Sequence, residues 1–436
     1  MHRDSPGTRA ADGSRRRFLK AVGVGGIGVT VAGCVSLENG DGEDGSGDDN
    51  GTDTTVGDEA DQSGSLTIGM VDSVSGSLSP YGERNQRGKD LALADVNAVG
   101  IGSAGNDLEV IVEDSESSAG PGVSSAEKLV NQDDVPIVVG AVGSGVSTAI
   151  YDSVIEGGDV VQISQNSTSP RLSDRPDLLR MSPSGRDKGS ALAKLLDDDG
   201  IGNVAVTFIN NDYGQGLSGV FEGEFPGDVG YNQPHDQGEA SYGGVISDMD
   251  DADVDAWLFI TYAEEFIVMV NEAYERGLTE EYELYGAEST IAEDILENTP
   301  EGSHDGMTGI TESAPVEQDN YVSFKGQFED EYGQAPTVWA AYAYDAMVIS
   351  ALALHLADGG DVTLDLVRDL TRPDGETVLT YEAAVDAVEP GGDPSAVDYQ
   401  GVSGPIDLDD NGDPRGFYQV YTVRDHSYEF GDFVTS

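Results

Sequence analysis

The chain has 436 residues and carries 82 acidic against 22 basic side chains, a formal net charge of −60. So acidic a molecule repels the phosphates of nucleic acid instead of neutralising them, which excludes a nucleic-acid binder. Yet 38% of the residues are hydrophobic, and from residue 65 onward they fall into compact runs, which excludes a chain disordered throughout.

The N-terminus opens with SRRRFLK at residues 14–20, then a short Gly-rich apolar stretch, AVGVGGIGVTVAG, that stops at Cys34, the chain's single cysteine. A basic start, a short apolar middle and small residues before the processing point describe an export signal. The apolar stretch is too short to cross a bilayer core of about 30 Å. Ser14 to Lys20 resembles a twin-arginine motif, and Val31-Ala32-Gly33-Cys34 resembles a lipobox. The resemblance implies a signal over residues 1–33, with Cys34 as the lipid attachment point. Residues 34–64 hold no Lys or Arg and almost no large apolar side chain. They are expected to form a solvated acidic tether, because they bury too little surface to offset their ordering entropy. The chain has only six lysines, and its acids are spread over every segment. That pattern resembles proteins of salt-loving organisms, haloarchaea in particular, where salt screens a carboxylate-rich surface.

About 370 residues remain, more than one core usually serves, so two lobes are expected. Short apolar runs predict buried strands at 66–71, 108–113, 135–140, 160–164, 204–209, 256–260, 282–286 and 305–310. Helical periodicity lies between them at 86–98, 122–131, 188–199, 263–276 and 317–332. Strands alternating with helices predict an α/β fold with parallel sheets covered on both faces. Residues 340–357 are the next most apolar stretch, but Asp345 and His355 interrupt it, so a buried helix is expected rather than a membrane span.

In open α/β sheets ligands gather at the carboxyl ends of the strands. VPIVVG is followed by AVGSGVSTA, VVQIS by QNSTSP, VAVTFI by NNDYGQG, AWLFI by TYAEE and YELYG by AEST. Each is an ordinary loop alone; together they predict a polar cleft with aromatic walls.

These residues resemble the leucine/isoleucine/valine-binding family of ABC-transporter solute-binding proteins. Ser75-Gly76, Tyr81-Gly82, Gly88 and Ala94-Asp95-Val96-Asn97 look like that family's opening strand, loop and helix. Val138-Val139-Gly140 with Ser144, Ile163 to Pro170, Asp212 to Gly216, and Gly404-Pro405-Ile406 through Gly412-Asp413 to Gly416-Phe417 continue the pattern. The resemblance implies a type I periplasmic-binding fold, with two doubly wound parallel-sheet lobes joined by hinge crossovers. Lobe 1 would comprise 65–183 and 313–402, and lobe 2 would comprise 184–312 and 403–436. It further implies that Ser144 and Thr168 hold a ligand α-carboxylate and that Asn166 offers its main-chain carbonyl to the α-ammonium. Glu288 would pair with that ammonium, Tyr213 and Tyr262 would wall the site from lobe 2, and Tyr81 would line the side-chain subsite. The implied activity is capture of an amino acid, branched-chain or similar, and delivery to an ABC permease from the outer face of the membrane. No cofactor, metal or catalytic residue is implied.

The sequence also departs from that pattern. Gln165 and Asn166 are bulkier than the small residues common in that loop, and Gly143 stands where some relatives have a disulfide cysteine. The wider family binds amides, urea and aromatic acids too, and the same fold serves ligand-sensing receptors. DLDDNGD at 407–413 imitates the start of an EF-hand loop, but Tyr418 stands where the closing Glu belongs, so a tight turn is expected. Nucleophile-elbow and zinc-protease motifs are missing and the five histidines are scattered, which argues against an enzyme. Asn50 and Asn166 both head glycosylation sequons, the second in the expected cleft, where no glycan is expected.

Overall fold

The computed structural model describes residues 64–434 apart from Pro176 and Pro373. The signal, Cys34, the Asn50 sequon and all of the tether but Gly64 lie outside these residues.

One sheet is built from β1 (Ser65–Asp72), β2 (Asp107–Asp114), β3 (Ile137–Gly140), β4 (Val161–Ser164) and β5 (Leu178–Arg180), in the order β2-β1-β3-β4-β5. All its pairings are parallel. A second sheet holds β6 (Asn203–Ile209), β7 (Asp228–His235), β8 (Ala256–Ile260), β9 (Glu283–Gly286) and β10 (Thr308–Ser313). A small sheet of β11 (Glu376–Val378), β12 (Val397–Gly401) and β13 (Gly404–Pro405) follows. Then β14 (Phe417–Arg424) and β15 (Ser427–Val434) add an antiparallel hairpin to the second sheet beside β10, giving the order β15-β14-β10-β9-β8-β6-β7. That sheet is therefore mixed, parallel over five strands with an antiparallel edge. Each predicted apolar run contains a strand, though β3 starts two residues and β10 three residues later than the runs at 135–140 and 305–310. The central ones, β3, β4 and β8, are buried at every residue, which is why they read as unbroken apolar runs instead of alternating ones.

The helices are α1 (Ser79–Val99), α2 (Ala119–Asn131), α3 (Ser144–Ile150), α4 (Gly185–Asp198), α5 (Asp212–Glu224) and α6 (Gly243–Asp250). They continue as α7 (Ala263–Glu275), α8 (Glu293–Asn298), α9 (Asp319–Tyr332), α10 (Val338–Ala357), α11 (Leu364–Asp369) and α12 (Tyr381–Ala387). The chain leaves the first sheet after β5, since α4 packs on α5 and β10. It returns after β10, since α10 packs on α1 and β3, and crosses again between β13 and β14. Three crossings join two lobes.

Helix α10 is long and apolar enough to cross a membrane by composition, but 94% of that stretch is buried inside the molecule. It is a core helix, as its Asp and His suggested. A Cβ at Gly88 would lie 2.1 Å from the Ala340 carbonyl oxygen, so α1 and α10 pack this closely only because residue 88 has no side chain.

Asp345 explains the polar break in α10. Fully buried, it accepts hydrogen bonds from the Tyr399 hydroxyl at 2.9 Å and from the N–H groups of Val402 and Ser403 at 3.0 and 2.8 Å. It thereby fastens β12 and its turn into β13, just ahead of the last crossover, to the core. Burial pushes its carboxyl up to about 6, against the pull of these donors. Because the folded value is raised, the native state loses stability as pH climbs from the ordinary carboxylate range to about 6, and is level above it. Asp345→Ala leaves buried N–H groups unpaired and should cost about 3 kcal/mol in denaturant unfolding at neutral pH; Asp345→Asn, which keeps one acceptor, should recover part of that loss.

Candidate functional site

One cavity is lined by all seven side chains singled out from the sequence: Tyr81, Ser144, Asn166, Thr168, Tyr213, Tyr262 and Glu288. Each lies beyond the carboxyl end of a strand. Tyr81 follows β1, Ser144 follows β3, and Asn166 with Thr168 follows β4, all from the first sheet. Tyr213 follows β6, Tyr262 follows β8 and Glu288 follows β9, from the second. Parallel strands all point their carboxyl ends the same way, so two such sheets facing each other converge their loops on one cleft.

Local structure sets each group. Gly143 adopts φ 88° just before α3, a left-handed turn that glycine makes without strain. Ser144 then accepts a hydrogen bond from the Ser169 N–H at 3.0 Å through its Oγ, which leaves its own O–H to donate. Asn211 caps α5 by accepting from the Gly214 N–H at 3.1 Å, and its Nδ2 donates to the Tyr262 hydroxyl at 3.1 Å. Tyr213 and Tyr262 stack with ring centroids 5.5 Å apart and planes 14° apart. Burial drives both phenols upward, so they are neutral donors at any physiological pH.

Sequence reasoning missed several walls. Trp339 at the start of α10 meets Tyr81 edge to face at 6.0 Å, and Leu78, Val142, Gly143 and Ser289 complete the lining. Trp339 is far along the chain from any strand end, so a search confined to strand ends could not find it. Gln165 is buried but does not line the cavity, whereas Asn166 does. The bulk expected in this loop thus reaches the cavity through Asn166 alone. Its sequon is closed off, since Asn166 is only 8% exposed and both amide atoms are buried.

Glu288 differs from the simple picture of a carboxylate awaiting a ligand. Its Oε1 receives Lys188 Nζ at 2.6 Å and its Oε2 receives the Tyr213 hydroxyl at 3.0 Å. The fully buried polar atoms of the lining that have no protein partner are neutral: the Tyr81 hydroxyl and the Asn166 amide. Lys188 is one of only six lysines, and its scarcity is the signal that could have marked it.

The free volume of the cavity is about 30 Å³, room for about two water molecules. The lobes touch around it: the Ser169 hydroxyl donates to the Asp212 carbonyl at 2.7 Å and Arg171 Nη1 donates to Gln215 at 2.9 Å. Gln237 also bonds to Ser77 across the cleft.

The loop bearing Asn166 and Thr168 is held from behind by Arg180, fully buried at the end of β5. Its Nε donates to Asp413 at 2.6 Å, and Nη1 to the carbonyls of Ser167 and Ser169 at 3.1 and 2.9 Å. Asp413 closes the DLDDNGD segment, where Asp409 accepts from the N–H groups of Asn411 and Asp413 at 2.8 and 3.0 Å. That segment is a side-chain-capped turn, as expected. Arg180→Met strands the Asp413 charge and should destabilise the protein by about 3 kcal/mol. Hydrogen exchange should show faster exchange at residues 165–169, and Arg180→Lys should not restore protection because it lacks the planar fork.

The family model described as "Periplasmic binding protein" matches residues 65–417. The leucine-specific-binding protein of Salmonella typhimurium is 25% identical over 364 residues, 81% of this chain and 89% of that one. The chemotactic signal transduction system substrate-binding protein BasB of Halobacterium salinarum is 23% identical over 389 residues, 85% of this chain and 90% of that one. An ABC-transporter solute-binding protein from Rhodopseudomonas palustris, crystallised with 3,4-dihydroxybenzoic acid, superposes with a TM-score of 0.69 at 17% identity, covering 85% of this chain and 97% of that one. With the family's model covering the first sheet, the parallel strands of the second and every residue of the cleft, the chain belongs to the periplasmic binding protein family of solute-binding proteins.

Proposed function

We propose that this chain captures an amino acid, branched-chain or similar, between its lobes and delivers it to an ABC permease. In this reading lobe 1 comprises 65–183 and 313–402, and lobe 2 comprises 184–312 and 403–436. One observation carries it: hydroxyl donors at Ser144 and Thr168 face the cavity from the first sheet, and the Glu288 carboxylate faces it from the second. A zwitterion needs donors at one end and an anion at the other. Lobe 1 takes the carboxylate first, and lobe 2 then closes with Tyr213, Tyr262 and Glu288 to exclude water. The protein would work at the outer face of the membrane after twin-arginine export, anchored through lipid on Cys34, its acidic surface suited to concentrated salt. The Salmonella relative's name supports the amino-acid class, and the Halobacterium relative's name supports a sensing role for the same captured solute.

A second reading is a carboxylic acid without an ammonium. It is favoured by the protein donors already seated on both Glu288 oxygens, and by the neutral Asn166 and Tyr81 groups left to greet a ligand.

A thermal-shift screen in high salt against amino acids, their deaminated acids, amides, urea and aromatic acids separates the readings, since a native-state ligand raises the melting temperature. Amino-acid capture predicts a rise with leucine, isoleucine or valine and a loss of affinity of roughly tenfold or more in Glu288→Gln, about 1.4 kcal/mol or above by calorimetry. A rise confined to the deaminated or aromatic acids would favour the second reading.

A further inference from the structure

Lys188 enters the interior from α4 and is fully buried beneath the cavity without lining it. Its Nζ lies 2.6 Å from Glu288 Oε1 and 2.7 Å from Glu312 Oε1, and 5.6 Å from the centre of the Tyr213 ring. Glu312, on β10, has no exposed side-chain surface, and its Oε2 has no partner. One cation therefore serves two carboxylates, and only Glu288 of the three groups reaches the cavity.

The charge seen by a ligand follows from this arrangement. With all three groups ionised the cluster carries one net negative charge. With Glu312 protonated it is neutral, because Lys188 cancels Glu288. A ligand ammonium beside Glu288 then meets a compensated carboxylate, with the Lys188 charge just behind it. We propose that Lys188 and Glu312 determine which charge the cleft accepts: Lys188 cancels Glu288, and Glu312 restores the negative charge that holds a ligand ammonium. This rests on the solute-binding reading of the site. Neither residue touches the ligand; both act through Glu288.

The other titratable groups facing Glu312 are Tyr418 from β14, Tyr342 from α10, Tyr213 from α5 and Tyr81 from α1. Burial holds all four phenols up, so they stay neutral, and Lys188 and Glu288 are left to set the balance. Burial pushes the Glu312 carboxyl up to about 7; Lys188 opposes that and Glu288 adds to it. For Lys188, burial works against the charge, but the two carboxylates outweigh it and hold the ammonium above its ordinary range. Glu312 thus changes charge near neutrality. An arriving ammonium favours its ionised form, so affinity for such a ligand rises with pH up to about 7 and then levels. A ligand bringing only a carboxylate shows the opposite slope.

The test is calorimetry on the full protein at constant high salt from about pH 5 to about pH 8. The probes are leucine, isoleucine and valine, each paired with the acid that lacks its amino group. In the wild type, leucine-class affinity should rise with pH; in Glu312→Gln it should fall roughly tenfold at the upper end and lose its slope. The double variant Lys188→Met/Glu312→Gln frees Glu288 from its cation and should restore affinity for the ammonium ligand to near the wild-type value at the upper end of the pH range. If only the deaminated acids bind, Glu312→Gln should strengthen them and flatten their falling profile. Binding by either series with an unchanged profile in Glu312→Gln overturns this inference while leaving the solute reading intact. No binding by either series overturns both this inference and the amino-acid reading.

Discussion

Buried charge in a molecule this acidic has to be matched group by group, and the rest of the structure depends on how that matching is done. Three buried carboxylate systems illustrate it. Asp413 is met by Arg180, Glu288 and Glu312 share Lys188, and Asp345 is met by N–H groups and a phenol. A buried ion pair adds little net stability over an apolar packing of the same volume, yet losing one partner is costly. Such pairs act as registration points. Arg180 fixes the loop of lobe 1 that reaches the cavity, Lys188 fixes the carboxylate of lobe 2, and Asp345 fixes the β12–β13 turn that leads into the last crossover.

The cleft follows from topology once these points hold. Parallel strands deliver loops to one edge, and each loop supplies a different chemistry: hydroxyls after β3 and β4, phenols after β6 and β8, and a carboxylate after β9. Helices α4 and α5, packed against each other, then bring Lys188 and Tyr213 behind and beside that carboxylate. The aromatic walls supply shape and dryness, and the buried cation adjusts the charge they enclose.

Much of this was legible in the sequence because central strands are buried on both faces and so carry unbroken apolar runs. Most of the strands that escaped notice face water or number too few, whereas β12 and β14, largely out of water, escaped because polar residues interrupt their apolar ones. β7 carries Asn, Gln and Pro at the sheet edge, β15 is mostly exposed and holds Glu, Asp and Gly, and β5 has only three residues. The seven cavity residues were legible because each stands just past a strand and matches a family position. Trp339, Lys188 and Glu312 were not. Trp339 arrives from a helix on the return pass of the chain, and the other two pair across a separation of 124 residues. Tertiary proximity of that kind leaves no local periodicity to read.

The contacts that shut the cleft carry a kinetic consequence. Ser169 to Asp212 and Arg171 to Gln215 join the lobes beside a cavity scarcely larger than the waters it could hold. A solute held between the lobes would leave faster when those bonds part. Its residence time would then depend on how often the lobes swing open as well as on the strength of the grip. A receiving protein that pries Asp212 from Ser169 would shorten that wait without altering a single contact to the cargo.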